Sequence, residues 1–191
     1  SWILEEHRER IRLWVAEDVY RAEEALWDAL VLAPSDRLPF ADDSFDVIVC
    51  YNVIEHLADP AACFSECGRV LKPGGYLCFK TPAVHTPLFL VAKLLPTALH
   101  RRLKAAIGTD EEDVFPTVYR ANDLKTLDMA LTSAGFRRHW RQRVDQTYAD
   151  STHAGWIFAL GLLYSRLTQR RALAWLRNQI VGIYRMPEES A

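Results

Sequence analysis

Glycine is missing from the first 67 residues of this 191-residue chain; the first is Gly68, and the whole sequence holds eight. A tight, glycine-rich strand-to-helix turn needs backbone that a Cβ would block, so no such turn lies ahead of Gly68. Cysteine is sparse as well. Cys50, Cys63, Cys67 and Cys78 are too few and too clustered in predicted strands and a helix for a disulfide framework, and they suit a reducing, cytoplasmic setting. No run of roughly 18 apolar residues is present, which excludes an obvious membrane span. "WIFALGLLY" (156–164) is too short, and "PLFLVAKLLP" is broken by Lys93 and a proline. Charge of one sign is lacking too: 23 Lys and Arg against 25 Asp and Glu leave a formal net charge of −2, which gives no global reason to expect nucleic acid or an anionic surface. The start "SWILEEHRER" is charged almost at once, unlike a secretory leader, and opens on Ser1, so it need not be the natural start.

What is present is an ordinary globular composition, 50% hydrophobic and 25% charged, enough for one domain with a real core. "RLWVA" (12–16) reads as a strand ending in Glu17-Asp18, "YRAEEALWDAL" (20–30) as a helix and "LVL" (30–32) as a short strand closed by Pro34. "FDVIVCY" (45–51) is β-branched and almost wholly apolar, the pattern of an interior parallel strand covered on both faces. Asp59-Pro60 starts a helix with a buried stripe of Cys63, Phe64, Cys67, Val70 and Leu71. Cys63 and Cys67 stand one helical turn apart, but no second Cys or His pair accompanies them at ligand spacing, so they read as small core residues and no metal is expected. "KPGG" (72–75) stops the helix before the strand "YLCFKTP" (76–82), completing a right-handed βαβ unit.

Residues 86–120 form a long insert with three prolines. Asn122 then caps a helix whose Leu124, Leu127, Leu131 and Ala134 share a face, ended by Gly135. "FRRHWRQRV" (136–144) is a strand, 154–176 a helix and "NQIVGIYR" (178–185) a last strand. With no repeat and no low-complexity linker, residues 1–191 read as a single α/β domain.

Three blocks carry a resemblance: "LPFADDSFDVIV", "NVIEHLADPAACFSECGRVLKPGG" and "DVFPTVYRANDLKTLDMALTSAGF", with "RLWVAEDVY" a weaker fourth. In this order they resemble class I S-adenosylmethionine-dependent methyltransferases, in their small-molecule branch, over most of residues 12–145. The resemblance implies a Rossmann-like fold, a mostly parallel sheet with an antiparallel last strand, and S-adenosylmethionine as cofactor. The late segment matches the family's passage into an antiparallel sixth strand. The family opens with a strand and a glycine-rich loop, placed between its second and fourth strands. Only eleven residues precede "RLWVA" here, too few for a βαβ unit. A chain truncated at its N-terminus, lacking the first strand and helix, is one reading; a degenerate relative that kept the shape is the other. Either leaves two strands without their shared neighbour.

By position in the family pattern, Asp18, with Glu17 as runner-up, ends the second strand and would take the ribose hydroxyls; an exposed carboxylate near a helix start explains it as simply. Pro34 stands where the family often has an adenine-binding Asp, leaving Ser35 or Asp36 to substitute. Leu38 and Phe40 would floor the adenine or merely pack the core. Tyr51 and Asn52 sit at the carboxyl end of their strand, where open α/β sheets bind ligands; the resemblance implies contact with the methionine part of the cofactor. His56 and the loop residue His85 are candidate general bases, against the plainer readings of a helix residue bonding a loop and an exposed loop histidine. Tyr119 and Arg120 match the family's "YR" and would hold the acceptor or anchor the 86–120 insert, which would cap the acceptor site; its amphipathic "PLFLVAKLLPTAL" hints at a hydrophobic acceptor.

The implied activity is methyl transfer to a small-molecule O, N or C acceptor. The rivals are a non-catalytic binding or assembly module on the same fold, and a nicotinamide-dependent oxidoreductase, which would need a glycine fingerprint of its own. Arg137, Arg138, His139, Arg141 and Arg143 around Trp140 are compatible with a nucleic-acid backbone, but charge on an outer strand also prevents wrong pairing, and the edge reading is preferred. All of this presumes that Val47–Cys50 lies inside the sheet with its tip facing the cofactor; a place at the margin, or a crevice beyond Asn52 plugged by packed side chains, would defeat the methyl-transfer assignment.

Overall fold

A computed structural model of the chain describes residues 8–13, 15–18, 28–84, 86, 117–146 and 155–188. Among the described residues, six strands fall into two sheets. Strands β1 (Val15–Asp18) and β2 (Ala29–Leu32) form a parallel pair. The second sheet has the order β3-β4-β6-β5, from β3 (Phe45–Tyr51), β4 (Leu71–Pro82), β5 (Arg137–Val144) and β6 (Gln179–Arg185). β3 and β4 are parallel, whereas β6 runs antiparallel to both β4 and β5. The last strand is therefore the reversed one, as expected. β5, expected to be antiparallel, instead runs with β3 and β4.

Helix α1 (Pro60–Val70) joins β3 to β4. Asp59 Oδ1 accepts from Ala62 N at 3.1 Å and Pro60 occupies the first turn, so the predicted start is correct. Cys63, Phe64, Cys67 and Val70 are buried along one stripe, and Cys50, Cys63, Cys67 and Cys78 form no disulfide. The "KPGG" turn is not a break before the strand but a bulge inside it. Phe45 faces Leu71 and Val47 faces Tyr76, so the extra residues loop out of register. Gly74 has φ +79°, and a Cβ on Gly75 would sit 2.9 Å from Lys72 O, which explains the glycine pair.

Helix α2 (Leu124–Ser133) is capped by Asp123, not Asn122: Asp123 Oδ1 accepts from Lys125 N and Thr126 N, both at 3.0 Å. The long last helix divides into α3 (Gly155–Thr168) and a 3-10 segment, Arg171–Leu176. The predicted helix over 20–30 falls largely outside the described residues, and its final residues Ala29 and Leu30 belong to β2. The body of the 86–120 insert also lies outside them.

α1 and α2 cover one face of the four-stranded sheet. Leu77, Phe79, Ile180 and Tyr184 are buried there with Phe64, Leu127 and Leu131. Gly182 allows this packing: a Cβ there would stand 2.4 Å from Phe79 Cζ, so the ring occupies its place. The sheet's outer edge is β5, whose arginines reach inward. Arg138 and Arg141 pair with Asp128 at 3.0 and 2.7 Å, and Arg143 donates to Trp175 O at 2.7 Å. Charge on an edge strand is thus its structural role.

β3 corrects the expectation that carried most of the sequence argument. Among the described residues it is a sheet margin, hydrogen-bonded on one side, and Val47 and Val49 are 50% and 48% exposed. Ile48 and Cys50 pack inward, but the opposite face is open. The expected interior position therefore no longer supports methyl transfer; among the described residues, β1 and β3 each present an edge that pairs with no strand.

Candidate functional site at the carboxyl end of β3

Parallel pairing puts the carboxyl ends of β3 and β4 side by side, with Tyr51 opposite Lys80. Asn52 leaves the strand at φ +55°, a left-handed conformation that asparagine tolerates better than most residues, and its N–H donates to Lys80 O at 3.0 Å. The turn leaves Tyr51 and Asn52 exposed at the strand tip. Lys80 Nζ donates to the Tyr51 hydroxyl at 2.8 Å and lies 4.3 Å from the ring centroid, fixing the phenol.

The chain then makes a 3-10 turn, Ile54–His56, and Glu55 turns into the protein, 4% exposed. Thr81 Oγ1 donates to Glu55 Oε2 at 3.0 Å, and Asn122 Nδ2 donates to Thr81 Oγ1 at 2.6 Å and to Pro82 O at 3.1 Å. The Glu55 carbonyl accepts from both Val118 N (2.9 Å) and Tyr119 N (3.0 Å). Tyr119 is held at φ +50°, an uncommon conformation for a bulky residue that its surroundings must enforce. One buried network therefore joins the tip of β3, the end of β4 and the segment bearing Tyr119 and Arg120. Sequence reading singled out Tyr119 and Arg120 but passed over Glu55 as a site residue, Thr81 and Asn122. The available signal was a carboxylate inside an otherwise apolar "VIEHL".

His56 lies half-buried beside this network, on the turn itself. Asp18 ends β1 in register with Leu32, next to the loop carrying Ser35 and Asp36. Ser35 is half-buried and Asp36 exposed. Asp18, Ser35 and Asp36 thus share one end of the β1–β2 pair. Leu38 is tied by its backbone: its N–H donates to Glu66 Oε1 at 2.8 Å and its carbonyl accepts from Arg69 Nη2 at 3.1 Å. Arg69 also reaches Phe40 O (2.8 Å), Asp42 (2.6 Å) and Glu66 (2.7 Å), strapping the 38–44 loop to α1. Its guanidinium hydrogen bond holds the Glu66 carboxyl below the usual glutamate range. Phe40 meets Phe45 edge-on at 4.9 Å, consistent with packing. His85 lies outside the described residues.

Strand tips carrying exposed polar residues, on a parallel βαβ unit with a reversed final strand, define an α/β fold of the kind that binds a nucleoside cofactor at its carboxyl edge. Residues 14–79 match the family described as Methyltransferase domain. Over 71 residues the chain is 41% identical to an uncharacterized methyltransferase of Schizosaccharomyces pombe, covering 34% of this chain and 26% of that protein. It is 38% identical over 64 residues to a ubiquinone biosynthesis O-methyltransferase of Thiobacillus denitrificans, covering 29% and 28%. Thus the chain spans about a quarter of the length of these curated relatives. Among solved structures, an S-adenosylmethionine-dependent methyltransferase of Mesorhizobium loti superposes with a TM-score of 0.58 over 96% of this chain and 85% of that one, at 17% identity, a likeness of fold. Residues 14–79 are thus similar to a methyltransferase domain, and the chain has the Rossmann-like fold of the class I S-adenosylmethionine-dependent methyltransferases.

Proposed function

We propose that the chain takes part in methyl transfer from S-adenosylmethionine to a small-molecule acceptor through O, N or C. The observation that carries this reading is the β3 tip: exposed Tyr51 and Asn52 backed by the buried Glu55–Thr81–Asn122 network. Tyr51 and Asn52 would meet the methionine part of the cofactor, Asp18 the ribose, and Ser35, Asp36 and Leu38 the adenine. The fit is partial. The strand ends offer polar groups at the right edge of each sheet, while the glycine-free first 67 residues offer no Cβ-free cradle.

When bound, S-adenosylmethionine supplies an already activated methyl on a sulfonium, so the protein's task is chiefly alignment. Glu55 is suited to that task. It fixes the backbone of Val118 and Tyr119 from the cofactor side, setting where Tyr119 and Arg120 would grip an acceptor. His56, on the same turn, would accept a proton from an acceptor that must lose one, and His85 is the alternative base. The domain would extend over residues 1–191, with the 86–120 insert capping the acceptor, and four cysteines in no disulfide suit a cytoplasmic setting.

Equilibrium dialysis against methyl-labelled S-adenosylmethionine tests the reading. Saturable binding is expected, weakened about tenfold or more by Asp18→Asn through loss of a charged hydrogen bond. The open edges of β1 and β3 favour one other reading, a non-catalytic binding or assembly module. Absence of saturable binding would select it.

A further inference from the structure

Helix α3 is turned inside out relative to a helix of a water-soluble core. Its inward positions are Gly161, Ser165 and Thr168, the last two 7% and 0% exposed. Its outward stripe is Leu160, Leu163 and Leu167, exposed by 58%, 56% and 42%. The spacing of three and four residues places these leucines on one side of the helix. Trp175, on the following 3-10 segment, is a further exposed apolar side chain. Large apolar groups gathered on a surface mark a contact with something other than water.

The charge around this stripe says what kind of contact. Residues 155–178 contain Arg166, Arg170, Arg171 and Arg177 but no Asp, Glu or Lys, in a chain whose formal net charge is −2. Arg177 is internal to the fold. It donates to Thr168 O and Arg143 O, both at 3.0 Å, and so closes the end of α3. Arg166, Arg170 and Arg171 are exposed and form no ion pair among the described residues. An apolar helix face flanked by cations without anions is the composition of an interfacial helix, whose apolar side enters the acyl boundary while arginines meet lipid phosphates. With 14 residues, α3 is about 21 Å long, short of the roughly 30 Å needed to cross a bilayer. A second copy is the other natural cover, but two such surfaces would bring arginines together without carboxylates.

We propose that α3 and the Arg171–Leu176 segment form a docking surface for an anionic lipid membrane, lying in its interface through Leu160, Leu163, Leu167 and Trp175. This holds whether or not the chain transfers methyl groups. It is tested by sedimenting the full chain with vesicles of phosphatidylcholine alone and of an equimolar phosphatidylcholine–phosphatidylglycerol mixture. Binding to the mixed vesicles, weakened by salt and much lower on phosphatidylcholine, is the expected result. Arg166→Gln, Arg170→Gln and Arg171→Gln should each reduce affinity about fivefold. Leu160→Ser, Leu163→Ser and Leu167→Ser combined should reduce it about a hundredfold or more. Met129→Ser, an exposed apolar site on α2, should leave it unchanged, and circular dichroism reports whether each variant is folded. Should the leucine variant fail to fold, the surface arginine variants carry the test. Failure to bind the mixed vesicles, or equal binding to both compositions, overturns the proposal. So does a dimer in the ultracentrifuge that the leucine substitutions dissociate while vesicles are ignored.

Discussion

β6 and β3 lie in the same sheet, yet their surroundings differ sharply. β6 has a hydrogen-bonded neighbour on each side and buries Ile180, Gly182 and Tyr184 in strict alternation. β3 has one neighbour among the described residues, and Val47, Val49 and Tyr51 are about half or more exposed despite an apolar sequence at least as strong. Composition shows what a strand is suited to, but neighbours decide what it buries. One face of β6 is fully buried and the other half-buried, while β3, a strand made for two-sided cover, leaves one face half open to solvent. The exposed polar tip that makes β3 interesting chemically lies on this less finished side.

The sharpest way to test the contrast is to add the same small group, a side chain, to the finished half. Gly182→Ala drives a Cβ into Phe79 and should lower stability by about 3 kcal/mol in urea unfolding. Val49→Ala on β3 should cost about 0.5 kcal/mol, as for a partly exposed site. If the two losses are alike, the contrast is wrong. Next in size is the network bridging the halves: Glu55→Ala leaves Thr81 without its acceptor and should cost about 1–3 kcal/mol. Because alanine keeps the residue-55 carbonyl that accepts from Val118 and Tyr119, amide exchange at those two positions should stay slow in the variant.

On the open side, two strand edges that pair with no strand among the described residues should make the chain self-associate as concentration rises. Val47→Lys should suppress that, read by light scattering, while changing stability by less than about 0.5 kcal/mol.

The smallest effects are those of pH. Because Arg69 holds Glu66 below its ordinary value, their contact stabilises the fold above about pH 4.3 and is lost as pH falls through the depressed value. Arg69→Gln should flatten the acid limb of the stability curve. On the finished side, burial and then the hydrogen bond to Asp128 push the Tyr184 phenol up to about 12. Its neutral form is favoured by folding, so this contribution is intact below about pH 10 and fades as pH rises through 12. Tyr184→Phe should remove that alkaline loss.

Local rules made much of the fold legible. Asp59-Pro60 announced α1, the β-branched, almost wholly apolar "FDVIVCY" announced β3, "YLCFKTP" after "KPGG" announced β4, and Gly135 marked the close of α2. What escaped depended on partners distant in sequence. Asn122 looks like a helix cap until Thr81, 41 residues earlier, is seen to claim it. Arg69, an unremarkable helix residue, straps a loop some 30 positions away. The interior placement of β3 failed for the same reason, since an apolar run cannot report whether its neighbour is there. At the site, Tyr51 and Asn52 were readable because strand ends in open sheets are where ligands bind. Glu55 was not, because its significance lies in three contacts made across the fold.

The most direct measurement is amide chemical-shift mapping of the labelled chain during titration with S-adenosylmethionine. The predicted result is saturable movement of the Tyr51 and Asn52 signals, joined by Ser35 and Asp36, with α2 and β5 unmoved. Shifts confined to α2 and β5, or none at any cofactor concentration, would contradict a cofactor site at the end of β3.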